Sequence, residues 1–129
     1  MKFVLLHHSA CEASAFHYAI DREGEVSSLR AESERGTHAK SIGIVVEGDF
    51  DQVTPMPSQL DALRELLMQI KMRYADIRLG GHRQVRGDAT TCPGKRFPLK
   101  HLADWAACSL VDERDAAVQE QIDRQYRPE

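Results

Sequence analysis

Three residues of this chain have side chains that could together hold a metal ion: His7, His82 and Cys92. They come from three separate segments, "LLHHSA", "GGHRQV" and "TTCPG". Two imidazoles and one thiolate suit Zn²⁺, which favours nitrogen and sulfur ligands in a tetrahedron. Three protein ligands leave a fourth position for water, as in catalytic zinc sites. Taken singly, each histidine is more often structural or at the surface, and Cys92 more often a buried inert thiol.

The segment "LLHHSAC" places two histidines side by side, with a cysteine three residues later. The run "KFVLLHH" alternates in the manner of a β-strand, so we predict that His7 and His8 point to opposite faces of a sheet. The two imidazoles are therefore not equivalent. Three groups this close in sequence cannot easily surround one ion, so the partner ligands are expected from segments further along the chain.

Strands and helices must position these groups. The β-branched run "SIGIVVEGDF" predicts a buried central strand, and "FHYAIDREGEVSSL" predicts a hairpin that turns at Gly24. The segment "IRLGGH" predicts a short strand that ends at His82. In "PSQLDALRELLMQIKMRY" apolar residues recur at steps of three and four, which predicts an amphipathic helix beginning at Pro57. A second helix is predicted after "CPGKRFPLK".

The 129 residues predict one domain, residues 1–110, followed by a strongly polar helical tail over 111–129. A formal net charge of -3 gives no sign of a basic field, so we expect neither nucleic acid nor a membrane as a partner. We expect a monomer, although the sequence does not establish the oligomeric state. Too few apolar residues precede His7 for a secretory signal, so a cytoplasmic location is expected, with release by another route as the alternative for a phage or prophage lysin. Three cysteines without regular spacing argue against a disulfide framework.

The order of the segments "HHSA", "FHYAIDREG", "GTHAKSIGIVVEG", the helix, "GHRQV" and "TTCPG" closely resembles that of the zinc-dependent N-acetylmuramoyl-L-alanine amidases. This family also includes the phage lysozyme-amidases and the peptidoglycan recognition proteins. The resemblance implies an α/β fold, in which helices flank a central mixed β-sheet. It also implies zinc-dependent hydrolysis of the amide between N-acetylmuramic acid and L-alanine in peptidoglycan or muropeptides, with His7, His82 and Cys92 as the zinc ligands.

Four further residues are candidates for catalysis or substrate binding. Thr90 and His38 match positions that border the scissile amide and the substrate groove in relatives, so we predict both as catalytic, and His38 also as a substrate contact. Without the resemblance, Thr90 would equally well cap its own turn. Arg83 is a candidate contact for carboxylates of the peptide stem, although a solvated arginine is the more common case. Phe16 is a candidate substrate contact.

The chain also departs from the family's pattern. Phe16 stands where many active relatives carry a tyrosine whose hydroxyl lies near the reacting carbonyl. Val45 stands where one branch carries a glutamate that assists the water, and Glu47 lies two residues on. The segment "CEASA" is too short for the helix that relatives place there. Cys11 and Cys108 match nothing functional, and we predict that both are packing or surface thiols. No carboxylate is clearly placed as a general base.

Two other functions fit the same residues. One is a non-catalytic module that binds peptidoglycan or muropeptides and retains the zinc site, which the missing tyrosine and glutamate favour. The other is a domain whose zinc is structural and whose groove binds a different peptide. Retention of Cys92 favours the enzyme, because non-catalytic receptors of the family commonly lack this thiolate.

Overall fold

The computed structural model describes residues 1–11, 13–107, 124, 125 and 127, which form one sheet and two helices. The strands are β1 (Phe3–His8), β2 (Tyr18–Ile20), β3 (Val26–Ser28), β4 (Ser41–Val46) and β5 (Arg78–Gly81). The helices are α1 (Pro57–Arg73) and α2 (Leu99–Ala107), and a short 3₁₀ helix follows β5 at His82–Gln84.

The sheet has the strand order β3-β2-β4-β1-β5. Strand β1 pairs in parallel with β4 on one side and with β5 on the other. Strand β2 is parallel to β4, whereas β3 is antiparallel to β2 and forms the predicted hairpin with it. The predicted α/β fold with a mixed sheet is therefore confirmed, and β1, which carries the two histidines, lies inside the sheet.

The two faces of β1 have different surroundings. Val4 and Leu6 belong to the main apolar core, which includes residues of β4 and of both helices. Phe3 and Leu5 form a separate small cluster with Val85. Because side chains alternate along a strand, His7 continues the second face and lies outside the main core.

Both helices pack against the main core. In α1 the buried side chains of Leu63, Leu67 and Ile70 recur at steps of four and three residues, as the sequence predicted. The ammonium group of Lys71 donates to the carbonyl of Ala106 and so joins α1 to α2. Among the described residues, neither helix is long and apolar enough to cross a membrane.

Only a small part of the predicted tail is described. The carbonyl of Gln125 accepts from the amide of Arg86 at 2.8 Å, and the amide of Arg127 donates to the carbonyl of Gln84 at 2.6 Å. This end of the tail therefore lies against the segment that follows β5. The remainder of the predicted helical tail, the predicted boundary after residue 110 and Cys108 lie outside the described residues.

The loop that carries Cys92 is fastened to the connection between β4 and α1. The amide of Arg96 donates to the carbonyl of Phe50 at 2.7 Å. Gly94 has a φ of +113°, and a Cβ atom built there would lie 2.4 Å from the carbonyl carbon of Phe50. The position therefore requires glycine for its backbone conformation and for its close approach to the neighbouring chain.

We predict that Gly94→Ala destabilises the protein more than Gly87→Ala does. Both glycines have positive φ, so each substitution introduces backbone strain of about 1–3 kcal/mol. No atom of the described residues lies within 4 Å of a Cβ built at Gly87, whereas the change at Gly94 adds a clash with Phe50. Urea unfolding of the two variants measures the difference, and equal losses of unfolding free energy would contradict the close packing at Phe50.

Candidate metal centre

The three predicted zinc ligands lie together at the carboxyl ends of β1 and β5. Because β1 and β5 are adjacent and parallel, their carboxyl ends meet there, and Leu6 pairs with Gly81. The next residues along each strand, His7 and His82, are therefore neighbours, with ring centroids 4.9 Å apart. Cys92 reaches the same point from the following loop, and its Sγ lies 3.7 Å from Nδ1 of His7.

The spacing of the ligand atoms fits a zinc ion. One ligand atom from each of His7, Cys11, His82 and Cys92 lies within 4.8 Å of the others, and we call these four residues the metal-binding group. Zinc bonds of about 2.0–2.3 Å in a tetrahedron separate the ligand atoms by about 3.3–3.8 Å. The Cys92–His7 distance of 3.7 Å and the 3.2 Å between Cys11 Sγ and His82 Nδ1 are close to that range. Small side-chain movements would complete a tetrahedron.

His7 is in the protonation state that binds a cation. Its side chain is almost fully buried. Burial, and after it the neighbouring imidazoles of His82 and His38, lower the pKa of His7 to about 3. The imidazole is therefore neutral at physiological pH and keeps a nitrogen lone pair for a metal.

Cys92 requires a cation to become a thiolate. Its side chain is fully buried, and burial raises the pKa of its thiol, with the nearby Cys11 thiol acting in the same direction. A bound divalent cation reverses this preference, because a coordinated thiol is deprotonated. Without a cation Cys92 is thus an unreactive buried thiol, and a bound cation would convert it to a thiolate ligand.

Asp88 joins two histidines of the site, a role that the sequence patterns did not predict. Its Oδ2 accepts from Nε2 of His82 at 2.8 Å and from Nε2 of His38 at 3.1 Å. These two histidines, His38 first, hold the pKa of Asp88 below its usual range. With Nε2 of His82 bonded to a carboxylate, Nδ1 is the nitrogen left to bind a metal, an arrangement that orients many metal-binding histidines. The sequence signal is a carboxylate four residues before the predicted thiolate ligand.

His38 and Phe16 lie beside the metal-binding group. The Phe16 ring is 4.8 Å from the ring of His7 and tilted by 51°. The His38 ring is stacked at 6.1 Å from His7 and meets His82 edge-on at 5.0 Å. Both side chains are close enough to contact a substrate held at a metal, and their roles in binding and catalysis stay predictions.

Thr90 and Arg83 stabilise the loop that carries Cys92. The Thr90 hydroxyl accepts from the Cys92 amide at 3.1 Å, which is the turn-capping contact that the sequence left open as an alternative. The Arg83 guanidinium donates to the Gly94 carbonyl at 3.0 Å, and the Arg83 amide donates to the Cys92 carbonyl at 2.8 Å. Their predicted contacts with substrate stay predictions beside these structural contacts.

Two other histidines support the backbone. His8 lies on the opposite face of β1 from its neighbour, as predicted, and its Nδ1 accepts from the Phe50 amide at 3.0 Å. His17 is fully buried, where Nδ1 accepts from the Gly43 amide at 3.0 Å and Nε2 donates to the Glu34 carbonyl at 2.7 Å. Both rings have their hydrogen bonds within the fold and are not part of the metal-binding group.

Cys11, predicted as a packing or surface thiol, belongs to the metal-binding group. The chain turns back directly after β1, because the Cys11 amide donates to the carbonyl of His8 at 3.0 Å. This turn brings Cys11 Sγ to 3.2 Å from Nδ1 of His82. His7 and Cys11 therefore lie close together although they are only four positions apart in sequence, whereas His8, the third group of this segment, is not part of the metal-binding group.

An open cleft of about 740 Å³ lies beside the metal-binding group. Its lining residues are His8, Ala10, Cys11, Ala13, Thr37, Asp49, Asp51, His82, Gly87, Asp88, Ala89, Thr90 and Thr91. Each carboxylate among these residues already accepts hydrogen bonds: Asp51 from the Lys95 amide and the Thr91 hydroxyl, Asp49 from the Asp51 amide, and Asp88 from two histidines. The cleft can take a small polar ligand and present it to the metal-binding group.

The sequence of this chain is similar to those of known amidases and peptidoglycan-recognition proteins. The chain matches the family of N-acetylmuramoyl-L-alanine amidases over residues 1–95. The endolysin of Klebsiella phage KP32 is 33% identical over 106 residues, which cover 74% of this chain and 66% of that protein. Peptidoglycan-recognition protein SD of Drosophila melanogaster is 38% identical over 89 residues, which cover 62% of this chain and 46% of that protein. The chain thus spans about half to two thirds of the length of these relatives.

Solved structures share the fold. The N-acetylmuramoyl-L-alanine amidase LysC from Clostridium intestinale URNW superposes with a TM-score of 0.71 at 22% identity, covering 82% of this chain and 85% of that one. A second match is a chain from the structure of the ectodomain complex of peptidoglycan recognition proteins LCa and LCx bound to tracheal cytotoxin. It superposes with a TM-score of 0.65 at 26% identity, and the match covers 81% of this chain and 82% of that chain.

We predict that the metal-free protein loses stability as the pH falls from about 6.5 to about 3, in part through His7. The folded-state pKa of His7 is about 3, whereas an unfolded chain titrates near 6.5, so the unfolded state binds more protons in this window. The contribution of His7 is fully present above about pH 6.5 and is lost as the pH falls. Urea unfolding in the presence of a chelator, at about pH 7 and about pH 4.5, measures it.

The matched comparison is His7→Asn against His101→Asn, because His101 is exposed on α2. The first variant should show a shallower pH dependence of the unfolding free energy than the wild type, and the second should show the same dependence. An unchanged dependence in His7→Asn would contradict the buried neutral state of this imidazole.

Proposed function

The chain belongs to the N-acetylmuramoyl-L-alanine amidase family, and from this premise we propose that it hydrolyses the amide between N-acetylmuramic acid and L-alanine with the help of a zinc ion. The observation that carries the proposal is the convergence of His7, His82 and Cys92 at the edge of an open cleft. The endolysin relative supports wall hydrolysis, and the receptor structure bound to tracheal cytotoxin supports a muropeptide as the ligand.

The residues of the metal-binding group would hold the ion through two imidazoles and at least one thiolate. A zinc ion bound there would lower the pKa of a water molecule toward neutrality and polarise the carbonyl of the scissile amide. The protein contributes a neutral His7, a buried Cys92 and a His82 that Asp88 orients. These features fix the ligands before substrate arrives, so little reorganisation accompanies the reaction.

His38 is our candidate for moving a proton. Its Nε2 donates to Asp88, which leaves Nδ1 as the nitrogen that can accept a proton from the attacking water. The Asp88 carboxylate would stabilise the imidazolium that results, and the proton could then pass to the leaving amine of L-alanine. His38 would thus act as the general base, which could not be assigned from the sequence. Thr90 remains a candidate hydrogen-bond donor to the developing oxyanion.

Phe16 shapes the site without supplying a hydrogen bond. Its ring lies 4.8 Å from the ring of His7 and above the backbone of Gly43, where a Cβ would lie 3.5 Å from the Phe16 ring. The ring shields this side of the metal-binding group from water, which strengthens electrostatic interactions inside it. A phenylalanine cannot donate to an oxyanion, so this contribution to catalysis must come from elsewhere.

The second candidate function is a module that binds muropeptides, retains zinc and does not hydrolyse them. Two observations favour it. Phe16 has no hydroxyl, and the carboxylate of Glu47 pairs with Arg22 at 3.4 Å on the exposed surface and is not among the residues lining the cleft. The peptidoglycan-recognition relative supports binding as the shared property.

Digestion of purified peptidoglycan separates the two candidates. We expect zinc-loaded protein to generate new amino termini of L-alanine and new lactyl ends on muramic acid, and we expect a chelator to abolish this and added zinc to restore it. His82→Ala is the matched variant that should stay inactive with zinc. Wall binding without new termini would support the module instead, and absence of both binding and hydrolysis would contradict both functions.

We predict that Phe16→Tyr raises kcat on muropeptide by roughly 10- to 100-fold, because a donor to the oxyanion is worth about 1–3 kcal/mol in a partly dry site. Zinc affinity should stay unchanged, since the added oxygen is not a ligand. A flat or lower kcat would contradict the missing-donor account. A fall in kcat in Thr90→Val would then identify Thr90 as the donor that takes its place.

A further inference from the structure

We propose that Cys11 is a fourth zinc ligand, which closes the metal site and occupies the coordination position that a hydrolytic water needs. The inference rests on the zinc site proposed above and concerns its regulation. Four ligands of the type Cys₂His₂ are typical of closed structural zinc sites, whereas catalytic sites have three protein ligands and an open position. Cys11 would therefore act as an internal inhibitor of the amidase.

The Sγ atom of Cys11 lies beside the ligand atoms of the other three residues. It lies 3.2 Å from Nδ1 of His82, and its ligand atom is within 4.8 Å of those of the other three residues of the metal-binding group. The amide of Ala13 points at the same sulfur, with a nitrogen to sulfur distance of 3.4 Å. This contact helps to hold the sulfur beside the other ligand atoms of the metal-binding group.

The turn that carries Cys11 is firmly attached to the sheet. The Ser9 amide donates to the carbonyl of Val46 at 3.1 Å, and the Ser9 hydroxyl both donates to the Gly48 carbonyl and accepts from the Gly48 amide, at 3.2 and 2.8 Å. The Cys11 amide then closes the turn onto His8. The position of the Cys11 backbone beside the metal-binding group is therefore fixed by the fold, and the side chain needs only one rotamer to bring the sulfur to His82.

Cys11 approaches the metal-binding group from the side of the open cleft. Cys11 and His82 line the open cleft, whereas His7 and Cys92 do not. Cys92 is fully buried, while Cys11 is partly exposed. Cys11 thus stands between the buried ligands and the cleft, where water and the scissile carbonyl would have to approach, and it is the ligand whose departure would open the site toward substrate.

Cobalt substitution tests the ligation directly. Co²⁺ bound by two thiolates should show a thiolate-to-metal charge-transfer band about twice as intense as Co²⁺ bound by one, so we expect Cys11→Ala to halve the band of the wild type. Zinc affinity, measured by competition with a chromophoric chelator, should fall by more than about tenfold in the same variant. Cys108→Ala, which removes the third thiol of the chain, should leave both measurements unchanged. A full-intensity band in Cys11→Ala would overturn the proposal.

Hydrolysis of muropeptide at saturating zinc provides the second readout. We expect Cys11→Ala to be several-fold faster than the wild type, because the fourth position is then open. A halved band with an unchanged hydrolysis rate would overturn the inhibitory role of Cys11. A halved band with no hydrolysis by either protein would support the ligation and overturn the amidase function. A full band with active wild-type protein would support the amidase and overturn the fourth ligand.

Discussion

The parallel pairing of β1 with β5 is the interaction on which the site depends. In this register Leu6 lies opposite Gly81, so the residues that follow them, His7 and His82, are neighbours. A shift of one position in this register would send one imidazole to the opposite face of the sheet. The main apolar core, which includes residues of β4 and of both helices, packs against one face of β1. This packing stabilises the register and therefore the distance between His7 and His82.

Around this pair, the rest of the chain supplies groups that can bind a cation. A buried imidazole with a strongly lowered pKa and a buried thiol with a raised pKa are both neutral without a metal, and each becomes a good ligand when one is present. Asp88 bridges His82 and His38 and fixes which nitrogen faces the metal-binding group. The side chains of Thr90 and Arg83 hold the loop of the thiol in place.

The sequence predicted those parts of the structure that follow from periodicity. Alternation along β1 separated His7 from His8, and the steps of three and four residues located α1 to within one residue of its end. Periodicity does not report turns, and the turn after β1 is what carries Cys11 into the metal-binding group. Asp88 was missed for a related reason, since a carboxylate in a loop becomes a partner of two histidines only after distant strands have paired. For Thr90 and Arg83, the position in a motif did not tell whether the side chain contacts substrate or makes hydrogen bonds within the loop that carries Cys92.

The zinc content of the purified protein decides whether His7, His82 and Cys92 form a zinc site. After purification with zinc present and dialysis against metal-free buffer, metal analysis should find about one zinc per chain. His82→Ala and Cys92→Ser should retain far less zinc while keeping their fold, as circular dichroism would show, because the sheet and helices have their own core. Wild-type protein that is folded and holds no zinc after this treatment would contradict the account.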